Sequence, residues 1–305
     1  MKTIKLNDNN EIPILGIGTW ESDPGEVGSA IEYAVKEAGY RHIDGAKIYG
    51  NEKEIGQSLS NIFSSSEIKR EELFITSKLW NSDHRPADAA KACRQTLKDL
   101  QLDYLDLYLI HWGIPFGNGE NLESLTSSTK LDTVSIRETW EAMEQLVKEG
   151  LVKSIGVSNF TAMMLLDMLT YAKIRPAINQ IELHPYNSQN QLLEFCKAHQ
   201  IAVTAYSPLG TPGTAGESQK RLLDDQTIIE IAKIHSKTSA QILIRWAIQR
   251  ETIVIPKSQK DQRINENIQV FDFELIDNEM NKINSLNTNY RYVNPGDWWG
   301  VPYFD

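Results

Sequence analysis

Eight short, almost wholly apolar runs recur along the chain, each set off from the next by longer amphipathic stretches, and this alternation limits the possible folds more than any other feature. The runs cover residues 15–18, 41–44, 73–78, 105–110, 154–158, 177–182, 202–206 and 253–255. Strands buried on both faces by crossover helices read as continuous apolar runs rather than as alternating patterns. Helical periodicity covers 26–38, 52–63, 86–100, 135–149, 161–171 and 190–199, with two further stretches, 226–235 and 239–250, before the last strand. Gly39 is expected as the glycine just past the first helix, and Ser239 as the N-cap of the last. Right-handed crossovers close eight such units most simply into an α/β fold of the (β/α)8, or TIM-barrel, type. A short β-hairpin over residues 3–14, turning at Asn7-Asp8-Asn9-Asn10, is expected ahead of it. Extra helices and two long loops, 113–133 and 207–223, are expected at the C-terminal face. No linker or composition break divides the 305 residues, so they read as one barrel domain.

Charge narrows the function classes. Lys plus Arg number 31 against 41 Asp plus Glu, a net charge of −10, which disfavours nucleic acid or an anionic membrane as partner. The two cysteines, Cys93 and Cys196, both fall in helical patterns, and such usage suits a reducing compartment. The N-terminus carries no apolar leader pattern and no apolar run approaches a membrane span, so the expected location is cytoplasmic. Monomer and homodimer both stay open.

In a barrel of this kind, chemistry sits where strands end and the following loops begin. Those positions hold Asp44, Lys78 and His111, with Tyr49 in the loop beyond Asp44. Singly, each has a structural reading: a turn aspartate, a solvated lysine, a satisfied histidine, an exposed loop aromatic. Four coincident placements at one barrel mouth point instead to proton donation to a carbonyl oxygen. A phenol titrates near ~10 and is a sluggish acid at neutral pH. An ammonium ~4 Å away favours the phenolate by roughly 4 kcal/mol at an effective dielectric of 20, or about three pK units. Lys78 is expected to do this to Tyr49, Asp44 to keep Lys78 charged, and His111 to orient the carbonyl. No side chain supplies a hydride, so a nicotinamide cofactor is required.

Several segments resemble the signatures of the aldo-keto reductase family: Gly16-Ile17-Gly18-Thr19-Trp20, the run from His42-Ile43-Asp44 through Tyr49-Gly50-Asn51-Glu52, Ser154-Ile155-Gly156-Val157-Ser158-Asn159-Phe160, and Ile255-Pro256-Lys257-Ser258. The resemblance runs in order over essentially the whole chain. It implies Asp44, Tyr49, Lys78 and His111 as the catalytic tetrad, with Tyr49 the general acid. It also implies a cofactor extended across the barrel mouth without a Rossmann fold. Consistently, Glu21 occupies the third glycine position of a would-be G-x-G-x-x-G. By the same matching, Thr19, Trp20 and Asp44 lie along the cofactor. Ser158, Asn159 and Gln180 hold its carboxamide, and Tyr206 stacks on its ring. Ser207, Leu209 and Gly210 follow its pyrophosphate. Lys257, Ser258, Gln259 and Arg263 form the 2′-phosphate pocket, with Glu266 and Asn267 near the adenine. Read by charge alone, Lys257, Lys260 and Arg263 gather positive charge in an acidic protein, as a phosphate monoester needs. NADPH is favoured, with NADH use left open.

For the substrate, the resemblance implies an apolar wall of Trp20, Ile48, Trp80, Trp112 and Trp298 around Tyr49, His111 and Asn159. Residues Lys78 to His84 resemble hexose-6-phosphate (mannose or sorbitol 6-phosphate) reductases, whereas Tyr290 to Trp298 look closer to xylose and aldose reductases. An aldose or aldose phosphate is the common denominator, and Lys47 or Arg291 is the expected contact for a phosphate. Gly45 and Gly113 stand where the family usually has a small side chain and a proline. Trp140, Trp246 and the run from Met163 to Leu166 read as helix core. No metal is expected. Two rival readings remain: a metal-dependent barrel hydrolase using Asp44, His111, Glu182 and His184, and a cofactor-binding module without turnover.

Overall fold

The computed structural model describes residues 2–117, 131–211 and 221–304. Two antiparallel strands, β1 (Thr3–Lys5) and β2 (Glu11–Pro13), form the expected hairpin, with Asn9 left-handed in its turn. Eight parallel strands follow: β3 (Ile17–Gly18), β4 (His42–Asp44), β5 (Phe74–Leu79), β6 (Leu105–Ile110), β7 (Val152–Ser158), β8 (Ile178–Glu182), β9 (Ala202–Tyr206) and β10 (Ile253–Val254). They pair in chain order, and parallel bridges Leu15 to Val254 and Gly18 to Lys257 close the first onto the last. The result is the expected (β/α)8 barrel.

Helices α1 (Val27–Lys36), α2 (Glu52–Ser65), α3 (Pro86–Leu100), α4 (Ile136–Lys148), α5 (Ala162–Tyr171) and α6 (Asn190–Ala198) each follow one strand. Helices α7 (Gln226–His235) and α8 (Ser239–Gln249) both lie between β9 and β10. Gly39 ends the first helix with φ 83°, which lets the Tyr40 N–H reach back to Ala34 O at 2.8 Å. The cap of α8 differs by one residue from the expected one. Thr238, not Ser239, accepts from the Gln241 N–H while the Gln241 side chain returns to the Thr238 N–H, a reciprocal capping box.

Three more helices lack a strong sequence signature: α9 (Asp261–Ile268), α10 (Asp277–Asn284) and α11 (Pro295–Trp299). Helix α9 completes the eighth strand–helix unit, yet it buries only Ile264 and Asn267, too little apolar surface for a clear period. Trp140 and Trp246 are core residues as expected, their indole N–H groups donating to Ile174 O and Asn284 Oδ1. The run from Met163 to Leu166 is a correction. Only Leu165 is fully buried, while Met163 is 72% and Leu166 46% exposed on the outer face of α5.

The hairpin decides which end of the barrel is open. Leu6 and Ile12 pack onto Phe74, Leu107, Ile178 and Ile253, the residues at the strands' N-terminal ends, and so plug that end. Asn7 Nδ2 donates to Pro176 O at 2.9 Å and Asn10 Nδ2 to Ser154 Oγ at 2.9 Å, which hold the plug in register. The C-terminal mouth is left for function. No helix among the described residues is long and apolar enough to cross a membrane.

Candidate active site

Strand geometry carries the four expected residues to one place. Asp44 ends β4 opposite Thr76 of β5, Lys78 stands two residues further along β5, and His111 follows β6. Tyr49 closes a 3-10 turn (Lys47–Tyr49) that Gly50, left-handed at φ 70°, terminates. Lys78 is wholly buried, and its Nζ donates to Asp44 Oδ1 at 2.5 Å and to Gly45 O at 2.8 Å. The Tyr49 hydroxyl lies 3.5 Å from the same Nζ. The His111 ring meets that of Tyr49 edge to face at 5.9 Å.

The electrostatics differ in one respect from the sequence argument. Burial works to lower the Lys78 pKa, but the Asp44 carboxylate and the Tyr49 oxygen outweigh it, so the ammonium is held above its ordinary value. Tyr49 is raised, not lowered. Burial pushes the phenol up, Lys78 pulls it down, and Asp44 pushes it up again. The depression expected from the cation alone is outweighed by desolvation of the phenol together with the nearby aspartate. The imidazole of His111 is pushed well below its usual range, first by burial and then by Lys78, so it is neutral. Its Nδ1 is buried without a hydrogen-bond partner among the described residues, leaving Nε2 as the nitrogen available to the cleft.

A cleft of about 700 Å³ runs from this centre across the mouth to Lys257, Lys260 and Arg263, a volume suited to a cofactor-sized ligand. The expected residues Thr19, Trp20, Ser158, Asn159, Gln180, Tyr206, Ser207, Leu209, Ser258 and Gln259 line it. Gly210, Glu266 and Asn267 do not. A Cβ on Gly210 would lie 2.9 Å from Leu222 and from the Tyr292 hydroxyl, so packing accounts for that glycine. Glu266 bonds to Gln262 and Gln241, and Asn267 is buried in α9. Glu21, Glu26 and Ser29 line the cleft unforeseen. Lys257 Nζ donates to Glu21 O at 2.6 Å and to Gln259 Oε1 at 3.0 Å, which fixes its position at the rim. Asn159 is left-handed at φ 64°, a costly conformation for a non-glycine residue. Its Nδ2 donates to His111 O at 3.0 Å, and its Oδ1 accepts from the Tyr206 hydroxyl at 2.7 Å. These bonds join three strand ends.

Ile48, Trp80, Trp112 and Trp298 line the tetrad end of the cleft as expected, Trp298 at 41% exposure on its rim. Trp299, not anticipated, is the buried partner: its ring lies 5.4 Å from that of Trp112 and 5.2 Å from that of Phe116. The tail bearing it is held by the fully buried Glu182, whose oxygens accept the N–H groups of Tyr292 at 2.6 Å and Val293 at 3.2 Å. Glu182 also meets His184 Nε2 at 2.9 Å. With Asp44 committed to Lys78 and Glu182 to the tail, the hydrolase reading loses both of its carboxylates. Among the described residues, no group of three His, Cys, Asp or Glu side chains could hold a metal ion. Lys47 and Arg291 are outside the cleft lining. Lys47 pairs with Asp83 at 2.5 Å, and the Arg291 guanidinium stacks on Phe304 at 3.7 Å.

Comparison with known proteins bears on this geometry directly. The aldo/keto reductase family profile matches residues 14–288. The chain is 51% identical to aldose reductase B of Dictyostelium discoideum over 99% of its own length and 98% of that protein's. It is 46% identical to aldo-keto reductase family 1 member A1 of Rattus norvegicus, over 96% and 91%. The solved aldose reductase of Schistosoma japonicum superposes with a TM-score of 0.92 at 46% identity, covering 99% of this chain and 98% of the other.

The chain belongs to the aldo/keto reductase family.

It is thus an oxidoreductase of a family that uses nicotinamide cofactors. The residues present suit such a group: a basic cluster at one end of an otherwise acidic protein, an amide at the other, and a phenol beside an ammonium. Of the two glycines that depart from the aldo/keto reductase pattern, Gly45 has room for a side chain, since its Cβ would meet only Thr76 O at 3.5 Å and Thr19 Oγ1 at 3.8 Å. At Gly113 a Cβ would fall 2.2 Å from Met164 Cε, the movable end of a flexible side chain, and its N–H, which a proline would lack, donates to the Tyr303 hydroxyl at 3.0 Å.

Proposed function

We propose that this aldo/keto reductase reduces the aldehyde of an aldose or similar small carbonyl compound to the alcohol, with NADPH as the preferred cofactor and Tyr49 as proton donor. The observation that carries this reading is the wholly buried Lys78 ammonium held between Asp44 and Tyr49. A nicotinamide held by Ser158, Asn159, Gln180 and Tyr206 would supply the hydride for the carbonyl carbon. The chain does the rest. His111 Nε2, on a neutral ring, orients the carbonyl oxygen toward the phenol. Tyr49 keeps its proton while the oxygen is uncharged, because burial holds the phenol protonated. As negative charge develops on that oxygen, Tyr49 releases the proton and Lys78 stabilises the phenolate left behind. The aromatic rings of Trp20, Trp80 and Trp112 exclude water from the reacting atoms.

Lys257, Lys260 and Arg263 support NADPH over NADH, since they cluster where an adenosine 2′-phosphate would end the cleft. The apolar lining of the tetrad end by Ile48, Trp80, Trp112 and Trp298 supports an uncharged aldehyde as substrate. A cytoplasmic location is supported by the cysteine usage, Cys93 and Cys196 both being free and buried. The deciding experiment measures NADPH oxidation with a panel of aldoses, aldose phosphates and simple aldehydes, alongside Tyr49→Phe. The variant is expected to lose about 100-fold or more in turnover while still quenching its tryptophan fluorescence on adding NADPH. Undiminished turnover in Tyr49→Phe would overturn the assignment of the acid.

A further inference from the structure

The two carboxylate oxygens of Asp44 have different partners. Oδ1 accepts from Lys78, whereas Oδ2 accepts from Gln180 Nε2 at 2.7 Å, a contact between residues 136 positions apart. A carboxylate only accepts, so it must be the amide nitrogen of Gln180 that faces Asp44. The amide oxygen is thereby turned elsewhere, and among the described residues it receives no hydrogen bond although Gln180 lines the cleft. The Gln180 backbone is equally constrained: its carbonyl accepts from Ser158 Oγ at 2.9 Å and from Asn159 N at 2.8 Å. The side chain therefore belongs both to the cleft lining and to the Asp44–Lys78–Tyr49 chain, with its nitrogen committed to Asp44 and its oxygen left to accept.

With the cofactor carboxamide on Gln180, as the family resemblance implies, we infer that Gln180 is a positioning residue that couples occupation of the nicotinamide end of the cleft to the proton donor, through the hold of its nitrogen on Asp44. The inference rests on the function proposed above. Accepting at Oε1 polarises the amide and makes Nε2 a stronger donor. Asp44 then offsets less of the Lys78 charge that Tyr49 feels, and the phenol becomes a better acid. By linkage, ionisation of Tyr49 strengthens binding of the cofactor by the same factor.

The test compares NADPH with its reduced 3-acetylpyridine analogue, whose acetyl group has no N–H to give Gln180. Titration of Tyr49 is followed by NMR in protein labelled at tyrosine Cζ, the resonance being assigned among the 11 tyrosines with Tyr49→Phe. In the unmodified protein, the Tyr49 titration with NADPH is expected about half a pH unit below that with the analogue. The matching readout is an NADPH dissociation constant that tightens about threefold more than the analogue's across that titration. In Gln180→Met the two cofactors should give coincident titrations. Coincidence already in the unmodified protein would overturn the inference. So would a persistent difference in Gln180→Met. The analogue arm needs no variant, so it decides even if Gln180→Met fails to fold. A protein that binds NADPH and reduces aldehydes yet shows coincident titrations loses this inference alone, whereas one that does not bind NADPH loses the proposed function with it.

Discussion

The Tyr303 hydroxyl accepts the Gly113 backbone N–H at 3.0 Å, tying the last residues of the chain to the loop after β6. Tyr303 also packs edge to face on Trp112 at 5.4 Å, so the tie reaches the wall of the tetrad end. A neutral hydrogen bond contributes about 1 kcal/mol net. Tyr303→Phe should therefore raise the aldehyde KM about fivefold while leaving kcat for the smallest aldehydes nearly unchanged. A fall in kcat with KM constant would show that the tail acts on the chemical step instead.

The Lys78–Asp44 pair predicts an asymmetric cost. Lys78→Met strands a buried carboxylate and should cost about 3–5 kcal/mol in urea unfolding. Lys78→Met combined with Asp44→Asn should recover part of that loss, since the stranded charge is gone. No recovery in the double variant would mean that lost packing, not charge, dominates.

Acid stability should follow two buried histidines. Burial lowers His42 and His84 from 6.5 to about 4. Each is neutral when folded and protonates more readily when unfolded, so its contribution is fully present above pH 6.5 and is lost as pH falls toward 4. The loss approaches about 3 kcal/mol per histidine. Unfolding free energies measured from pH 7 to 4.5 should decline through this window. A flat profile between 6.5 and 5 would contradict the assignment.

Cofactor choice should depend on the basic end of the cleft. Charge-assisted contacts to a phosphate are worth about 1.5–3 kcal/mol. Lys257→Met or Arg263→Met should weaken NADPH about 10-fold or more with little change in NADH, and the difference should shrink at high salt. Equal weakening of both dinucleotides would place these residues on the pyrophosphate instead.

The barrel is legible because buried strands and amphipathic helices each leave a period, and the convergence of Asp44, Tyr49, Lys78 and His111 because the ends of parallel barrel strands meet at one mouth. Helices α9, α10 and α11 left no period, since each buries only two residues outright. In the sequence Glu21 stands out only as a departure from a glycine pattern, and its place beside Lys257 depends on a contact across 236 positions. The sign of the Tyr49 shift was equally hidden. A neighbouring lysine is readable from strand order, but the depth of burial that outweighs it is a property of the assembled mouth.

The grip of Glu182 on the C-terminal segment is made entirely to main-chain N–H groups, those of Tyr292 and Val293. A clasp on the backbone is indifferent to which side chains the segment carries beyond it. Trp298, 41% exposed at the rim, can therefore be exchanged while the clasp holds, whereas Trp299 is buried against Trp112 and Phe116 and adds its own packing to the mooring. Tail-swapped chimaeras that retain Glu182 and the residues packed on Trp112 should therefore fold, differ in aldehyde preference and keep the Tyr49 dependence of turnover.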